Sequence, residues 1–190
     1  EWLRHDPEYP ATLVSRALAL GIGAQEYGQA RRDTAAILRQ FPNSAEALAI
    51  SAFIDGRQRD HVKARDQFQK ARLRKQNPSL VFTLNGQYRA ETGSWSRAKA
   101  DFKQALIHQP DSILARIWMA DLCATSPDDT IRDGAAALAY GIEVCNATTR
   151  PRWDALLALA SAHAEVGDFA SAVSAADRAL NCSLPHARSE

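Results

Sequence analysis

Hydrophobic and small residues recur along the chain at helical spacing, and the pattern is clearest between residues 79 and 112. Two apolar stripes occur there, one formed by Phe82, Gly86 and Ala90, the other by Trp95, Ala98, Phe102 and Ala105. Spacings of three and four residues place each set on one face of a helix. Gly93 separates them, because glycine readily takes the left-handed conformation that ends a helix. Asn77-Pro78 suits the start of the first helix, Ser94 can cap the second, and Pro110 ends it.

The same two-helix pattern repeats with a period of about 34 residues. Ala98 is matched by Ala64 and Ala30 at successive steps of this length, and by Ala172 in a later copy. The period predicts five repeats, at 11–44, 45–78, 79–112, 113–152 and 153–186. Residues 1–10 are then the tail of a preceding helix or a capping segment, and residues 187–190 are a tail.

Small residues mark the closest approach of the two helices within a repeat. Gly86 and Ala98 do so in the third repeat, and Ala160 and Ala172 take the same places in the last. Helices packed about 8–10 Å apart need small side chains where they cross. In the first repeat Leu18 occupies such a place, which makes this pairing less regular.

The fourth repeat, at 113–152, is longer than the period and therefore contains an insertion. The extra residues include Ser126-Pro127-Asp128-Asp129, where the turn between the two helices is expected. Proline and paired aspartates favour a long turn.

These repeats resemble tetratricopeptide repeats over residues 11–186. The family pattern is met in the third repeat by Phe82, Gly86, Gly93, Trp95, Ala98, Phe102, Ala105 and Pro110, and in the last by Leu156, Ala160, Gly167, Phe169, Ala172, Ala179 and Pro185. The first repeat keeps Tyr27, Ala30 and Pro42 but has Gln25 where glycine is usual. The resemblance implies an all-α fold, a right-handed α-solenoid of antiparallel helix pairs with about five repeats, and a bacterial source.

The resemblance also implies a binding groove, lined by the first helix of each repeat. The residues carried over to this groove are Ser15, Ala19, Ala49, Phe53, Arg57, Leu80, Thr83, Gln87, Glu91, Leu157 and Ser161. Such a groove suits a helix or an extended segment with apolar anchors, although Phe53 and Leu80 are equally compatible with packing between neighbouring first helices. The lysine-and-asparagine clamp with which some family members hold a peptide's terminal carboxylate is missing.

Composition excludes several other classes of protein. The chain has 190 residues and a net charge of +1, so no overall charge favours nucleic acid or an anionic membrane. No stretch has the roughly 18 to 20 apolar residues of a membrane span. We expect the chain to be a fragment, or to have one end covered by another domain or a second copy.

The sequence offers little that could form a catalytic or metal site. Gly21 to Gly28 lacks the third glycine of a dinucleotide motif and is better explained by a helix end. Cys145, Cys182 and His186 could together form a zinc site, and Cys145 and Cys182 could form a disulfide. The preferred interpretation is that the cysteines are small, buried hydrophobic side chains. We therefore predict no cofactor, no metal and no catalytic residue.

One local charge excess lies at residues 57–75, which contain eight Lys or Arg and two Asp. A solvated outer face is the favoured interpretation, and a docking site for an acidic partner is the alternative. Nucleic acid is not predicted, because no aromatic side chains alternate with the basic ones.

Together these features predict a non-enzymatic scaffold that binds a protein or peptide. The alternative is a repeat segment of a larger enzyme or of a secretion or assembly component, and self-association through exposed end repeats is a third possibility. Both a cytoplasmic and a bacterial periplasmic location are compatible with the sequence.

Overall fold

Helices provide all the regular structure of the described residues. The computed structural model of the protein describes residues 9–147 and 152–183, and these ranges contain ten α-helices, one π-helical segment and no β-strand. The α-helices are α1 (Tyr9–Leu18), α2 (Tyr27–Gln40), α3 (Ala45–Arg57), α4 (His61–Arg72), α5 (Pro78–Glu91), α6 (Trp95–His108), α7 (Ile113–Thr125), α8 (Gly134–Asn146), α9 (Trp153–Glu165) and α10 (Phe169–Ser183). The prediction of an all-α fold is confirmed.

The helices form two compact units, an N-terminal unit, Glu1–Tyr88, and a C-terminal unit, Arg89–Glu190, whose boundary falls within α5. In the N-terminal unit α1 packs against α2, and α3 packs against α2 and α4. In the C-terminal unit α7 packs against α8, and α9 packs against α7, α8 and α10. The repeat boundaries given above stay a prediction. The predicted tails were residues 1–10 and 187–190. Residues 1–8 and 187–190 lie outside the described ranges, and α1 begins at Tyr9, within the first predicted tail.

Four of the turns between paired helices share a backbone conformation. Each contains one residue in the left-handed region, namely Gln25 (φ 56°), Arg59 (φ 66°), Gly93 (φ 78°) or Gly167 (φ 81°), and the first three recur at the repeat period. Asn77 (φ 38°), before α5, is also left-handed, whereas the turn between α7 and α8 contains no such residue. After α3, α5 and α9 the same hydrogen bond closes the helix end, with backbone N–H groups donating to carbonyls five residues back: Asp60 to Asp55, Ser94 to Arg89 and Asp168 to His163. The left-handed role predicted for Gly93 is confirmed.

The first turn departs from this geometry by one residue. A π-helical segment, Ala19–Ala24, follows α1, and the Glu26 N–H donates to the Leu20 carbonyl six residues back. Gly21 and Gly23 lie in this segment, so the glycine-rich stretch forms a widened helix end.

Side-chain caps fix several helix starts. Ser44 Oγ accepts from the Ala47 N–H, Asp60 Oδ1 from Lys63 and Asp133 Oδ1 from Ala136. At α5, Asn77 Oδ1 accepts from the Leu80 N–H, as expected for Asn77-Pro78. Ser94 is the N-cap residue of α6, as predicted, but its side chain makes no capping hydrogen bond; the backbone turn described above holds this helix start in place.

The core of the N-terminal unit is built around α3, which is buried on nearly all sides. Tyr88 closes one side of it, because a Cβ atom on Gly56 would lie 2.5 Å from Tyr88 Cδ2. The Tyr88 ring also packs on Phe68 of α4, with 5.4 Å between ring centroids. Large side chains therefore fill the space that Gly56 leaves open.

Two buried carboxylates tie helices of the N-terminal unit together. Asp55 of α3 is fully buried, pairs with Arg31 of α2, and lies with its Oδ2 3.2 Å from Lys63 Nζ. Asp33 of α2 accepts two bonds from Arg16 of α1, at 2.8 and 2.7 Å. Buried carboxylates are tolerated when they are paired in this way.

The C-terminal unit packs around α7 and α9. Phe102 of α6 contacts Trp118 of α7, with ring centroids 6.5 Å apart. The long turn predicted in the fourth repeat is confirmed, since α7 ends at Thr125 and α8 begins at Gly134. Arg132 in this turn donates to Glu165 Oε1 at 2.9 Å and to the Ser126 carbonyl at 3.0 Å, which fixes the insertion against α9.

Candidate interaction surface

The predicted groove residues of α1 and α3 differ in accessibility. Ser15 of α1 and Ala19, the first residue of the π-helical segment, are exposed, whereas Ala49 and Phe53 of α3 are buried. Arg57 is half-buried and stacks over the Phe53 ring, with 4.7 Å from Cζ to the ring centroid. Of the predicted groove residues on α3, Arg57 is therefore the one whose side chain solvent can reach.

A similar division applies to α5. Leu80 and Gln87 are half-buried, while Thr83 is buried and its Oγ1 donates to the Ser79 carbonyl at 2.7 Å. Glu91, at the end of α5, is exposed. In the N-terminal unit the accessible part of the predicted set is therefore Ser15, Ala19, Arg57, Leu80 and Gln87. That these side chains form one groove stays a prediction.

In the C-terminal unit the remaining predicted residues lie on α9. Leu157 is 44% exposed and Ser161 is half-buried, one turn further along the helix. Trp153, at the start of α9, is also exposed. Trp153 and Leu157 are four residues apart and therefore share one side of α9, which makes this side a candidate contact surface.

Sequence reasoning missed Asp121 of α7. It lies within a run of buried residues, Ile117–Ala120 and Leu122–Ala124, yet is itself half-buried. Burial raises the pKa of its carboxyl group above the ordinary value. The signal was available in the sequence, since Asp121 takes the same place in the fourth repeat that Ser161 takes in the last. The fourth repeat contributed no residue to the predicted groove.

A cleft of about 680 Å³ opens in the N-terminal unit, between the start of α1, the end of α2 and the start of α3. Its apolar lining includes Val14, Ile37 and the exposed Phe41, and its polar lining includes Glu46 and Gln76. Asn77 Nδ2 donates to Glu46 Oε1 at 2.8 Å. This cleft contains none of the predicted groove residues.

The basic side chains of residues 57–75 largely engage groups of the same chain. Lys70 pairs with Asp66 at 2.6 Å, Arg74 donates to Asn43, and Arg72 stacks over Phe82, with 5.1 Å to the ring centroid. Lys63 reaches the buried Asp55. These contacts favour the solvated-face interpretation over a free cationic surface.

An apolar stripe runs along the outside of α10. Phe169, Val173 and Leu180 are 69%, 61% and 59% exposed, and their spacings of four and seven residues place them on one side of the helix. Such a stripe on a surface helix is a candidate contact surface.

The three cysteines are free thiols. Cys123 is buried, as predicted, and burial raises its pKa, which makes the reactive thiolate scarce. Cys182 is exposed, so for this residue the preferred interpretation of a buried side chain was wrong. His186, the third member of the zinc hypothesis, lies outside the described ranges, and residues 9–147 and 152–183 contain no group of three or more His, Cys, Asp or Glu arranged for a metal. None of the helices in these ranges is long and apolar enough to cross a membrane.

Comparison with known proteins identifies the fold. No family model and no curated protein sequence matches the chain. Solved structures do match. A tetratricopeptide repeat protein from Parabacteroides merdae is similar, with a TM-score of 0.61 at 15% identity, over 96% of this chain and 68% of its own.

Two further structures agree with this match. PilW, a widely conserved type IV pilus biogenesis factor, gives a TM-score of 0.65 at 20% identity, over 98% of this chain and 83% of its own. YrrB, a TPR protein with an unusual peptide-binding site, gives 0.57 at 16%, over 97% and 91%. The chain therefore has the tetratricopeptide-repeat fold, an α-solenoid of helix pairs.

Proposed function

We propose that the chain is a non-enzymatic scaffold that holds a segment of a partner protein on the solvent-facing sides of its first helices. The observation that carries this proposal is the mixed surface of α9, where Leu157 and Trp153 are open to solvent beside the half-buried Ser161. Apolar anchors between polar groups suit an extended or helical segment. YrrB, which shares the fold, is described as having a peptide-binding site, and this supports the proposal.

In the N-terminal unit the same role falls to Ser15, Ala19, Arg57, Leu80 and Gln87. The buried Ala49, Phe53 and Thr83 serve this surface indirectly, because they hold α3 and α5 in position. A bound segment would then contact exposed side chains carried by a rigid helical core, which limits the entropy lost on binding.

The test is selection of a random dodecapeptide phage library on the immobilised protein. Wild type is expected to enrich a family of related peptides, and L157D to lose them, because a carboxylate at an apolar anchor would have to be desolvated. V62D is the matched control, since Val62 of α4 is also exposed and lies on a second helix. Failure to enrich any peptide family, or equal binding by L157D and wild type, would refute the proposal.

The alternative is that the chain is a repeat segment of a larger enzyme or of a secretion or assembly component. PilW, a biogenesis factor of the same fold, supports the assembly version. Finding a catalytic domain in the same gene product would favour the enzyme version. An acidic partner at residues 57–75 is a weaker proposal, given the internal contacts of those side chains.

Self-association is a second proposed role, favoured by the apolar stripe of α10. Pairing of two stripes would remove Phe169, Val173 and Leu180 from water, which stabilises association. We expect the mass measured by light scattering to rise with concentration for wild type and for S174K, but to stay monomeric for V173K. Ser174 is an exposed neighbour of Val173 on another side of the helix. A constant monomeric mass for wild type would contradict this role.

A further inference from the structure

Asp121 is an unusual residue for its position in the C-terminal unit. From Ala115 to Ala124, α7 is buried except at Arg116 and Asp121. Arg116 has a partner, with Nε 3.4 Å from Glu143 Oε2. For Asp121, burial is the cause of the raised pKa, and within the part of the chain that the structure describes no basic group or hydrogen-bond donor engages its carboxylate.

The other acidic side chains of α7 and α9 are compensated. Asp154 accepts a bond from Arg152 Nη2 at 2.8 Å, and Glu165 accepts one from Arg132 Nε at 2.9 Å. Among the described acidic side chains of these two helices, Asp121 is the one that no basic group compensates. Partial burial of a charge without a partner destabilises the folded state. A neutral side chain at residue 121 would therefore make the folded state more stable. A charged residue that lowers the stability of the fold in this way is a candidate for a binding role.

The position of Asp121 makes its carboxylate accessible to a ligand. Leu114, Asp121 and Thr125 share the side of α7 that reaches solvent, at spacings of seven and four residues. On α9 the corresponding side carries Leu157 and Ser161. Since α7 packs directly against α9, the two helices present an anionic group and an apolar group within one unit.

We propose that the α7–α9 surface binds a partner segment through a lysine or arginine side chain that pairs with Asp121, while an apolar side chain of the same segment contacts Leu157. The inference rests on the proposed function and specifies its partner chemistry. A cation supplies the partner that the carboxylate lacks among residues 9–147 and 152–183. The pair forms where water is partly excluded, and charge-assisted hydrogen bonds are stronger there than in bulk water.

The test uses the same dodecapeptide selection on the whole chain, with wild type, D121N and D177N compared. Asp177 is exposed on α10, so D177N removes the same charge from a different surface. Peptides selected on wild type and D177N are expected to be enriched in Lys or Arg at one position, and D121N is expected to lose that enrichment. For a selected peptide, D121N should raise the Kd roughly tenfold or more, and replacing its basic residue by Gln should have the same effect on wild type but little effect on D121N.

Thermal unfolding at pH 7 separates this role from loss of structure. D121N should melt at a higher temperature than wild type while binding the peptide more weakly, a combination that a damaged fold would not give. Peptides selected without a basic preference, or bound equally by D121N, would overturn the inference and leave the scaffold function standing. Failure to select any peptide on wild type would overturn both.

Discussion

At the scale of single residues, the turns carry strain that the sequence does not relieve everywhere. Gly93 and Gly167 adopt the left-handed conformation without a steric penalty, but Gln25 and Arg59 adopt it with a Cβ atom. A non-glycine residue there costs about 1 kcal/mol or more. The conformation accompanies the short turns, while the longer turn between α7 and α8 reverses the chain without a left-handed residue.

Substituting Arg59 tests the cost directly. R59G should stabilise the protein by up to about 1 kcal/mol, since glycine removes the clash while the turn keeps its hydrogen bonds. Q58G, one residue earlier at φ −87°, should destabilise it, because glycine adds unfolded-state entropy there and removes the hydrogen bond that Gln58 Oε1 accepts from Arg31 Nε at 3.0 Å. Urea denaturation of the three proteins measures both effects, and equal destabilisation by the two variants would contradict the argument.

Asp121 predicts a pH dependence at the same scale. Its pKa is raised in the folded state, so between the ordinary value of 3.8 and the folded value the native protein binds more protons than the unfolded chain. The contribution of this group to stability therefore increases as the pH falls. D121N should be more stable than wild type at pH 7, and the difference should shrink as the pH is lowered to 4. A difference that grows on acidification, measured by calorimetry, would contradict the assignment.

At the scale of elements, packing within the N-terminal unit depends on close contact between α3 and Tyr88. Gly56 lies where α3 passes under that ring, and the Tyr88 ring also packs on Phe68. Both aromatic side chains are buried. The helix is therefore held in place by shape as well as by apolar burial.

Adding one methyl group should reveal this restraint. G56A should destabilise the protein by about 1–3 kcal/mol through overpacking, although alanine is the better helix former. G28A is the control, because a Cβ atom on Gly28 of α2 would meet nothing within 4 Å. It should be neutral or stabilising by up to about 1 kcal/mol. Chemical denaturation that gives both variants the same stability would refute the proposed close fit.

The elements themselves could be predicted because periodicity, Gly93 and Pro78 act locally. The site was harder to predict. Phe53 and Thr83 occupy positions that resemblance assigns to a groove, yet both are buried, since burial depends on which neighbours surround a helix. The π-helical segment at Ala19–Ala24 likewise has no periodic signature. Asp121 was overlooked because the resemblance contributed no groove position in the fourth repeat, although the insertion follows Asp121 and leaves its equivalence to Ser161 intact.

At the scale of the whole molecule, the described contacts within each unit join helices that are neighbours or near neighbours along the chain, such as α3 with α4 and α9 with α10. A destabilising substitution should therefore lower the stability of neighbouring helices more than that of distant ones, as in other repeat arrays. In hydrogen-exchange mass spectrometry, G56A should reduce protection in α3 and α4 much more than in α9 and α10. An equal loss of protection in both units would show that the chain unfolds as one cooperative block.

The regular count between left-handed turn residues has an evolutionary consequence. Gln25, Arg59 and Gly93 stand at identical intervals, so an in-frame recombination that adds or removes one such interval would join one hairpin to the next without disturbing either. Such a gene can lengthen or shorten its product in whole steps. New binding surface could then arise by copying a piece that already folds.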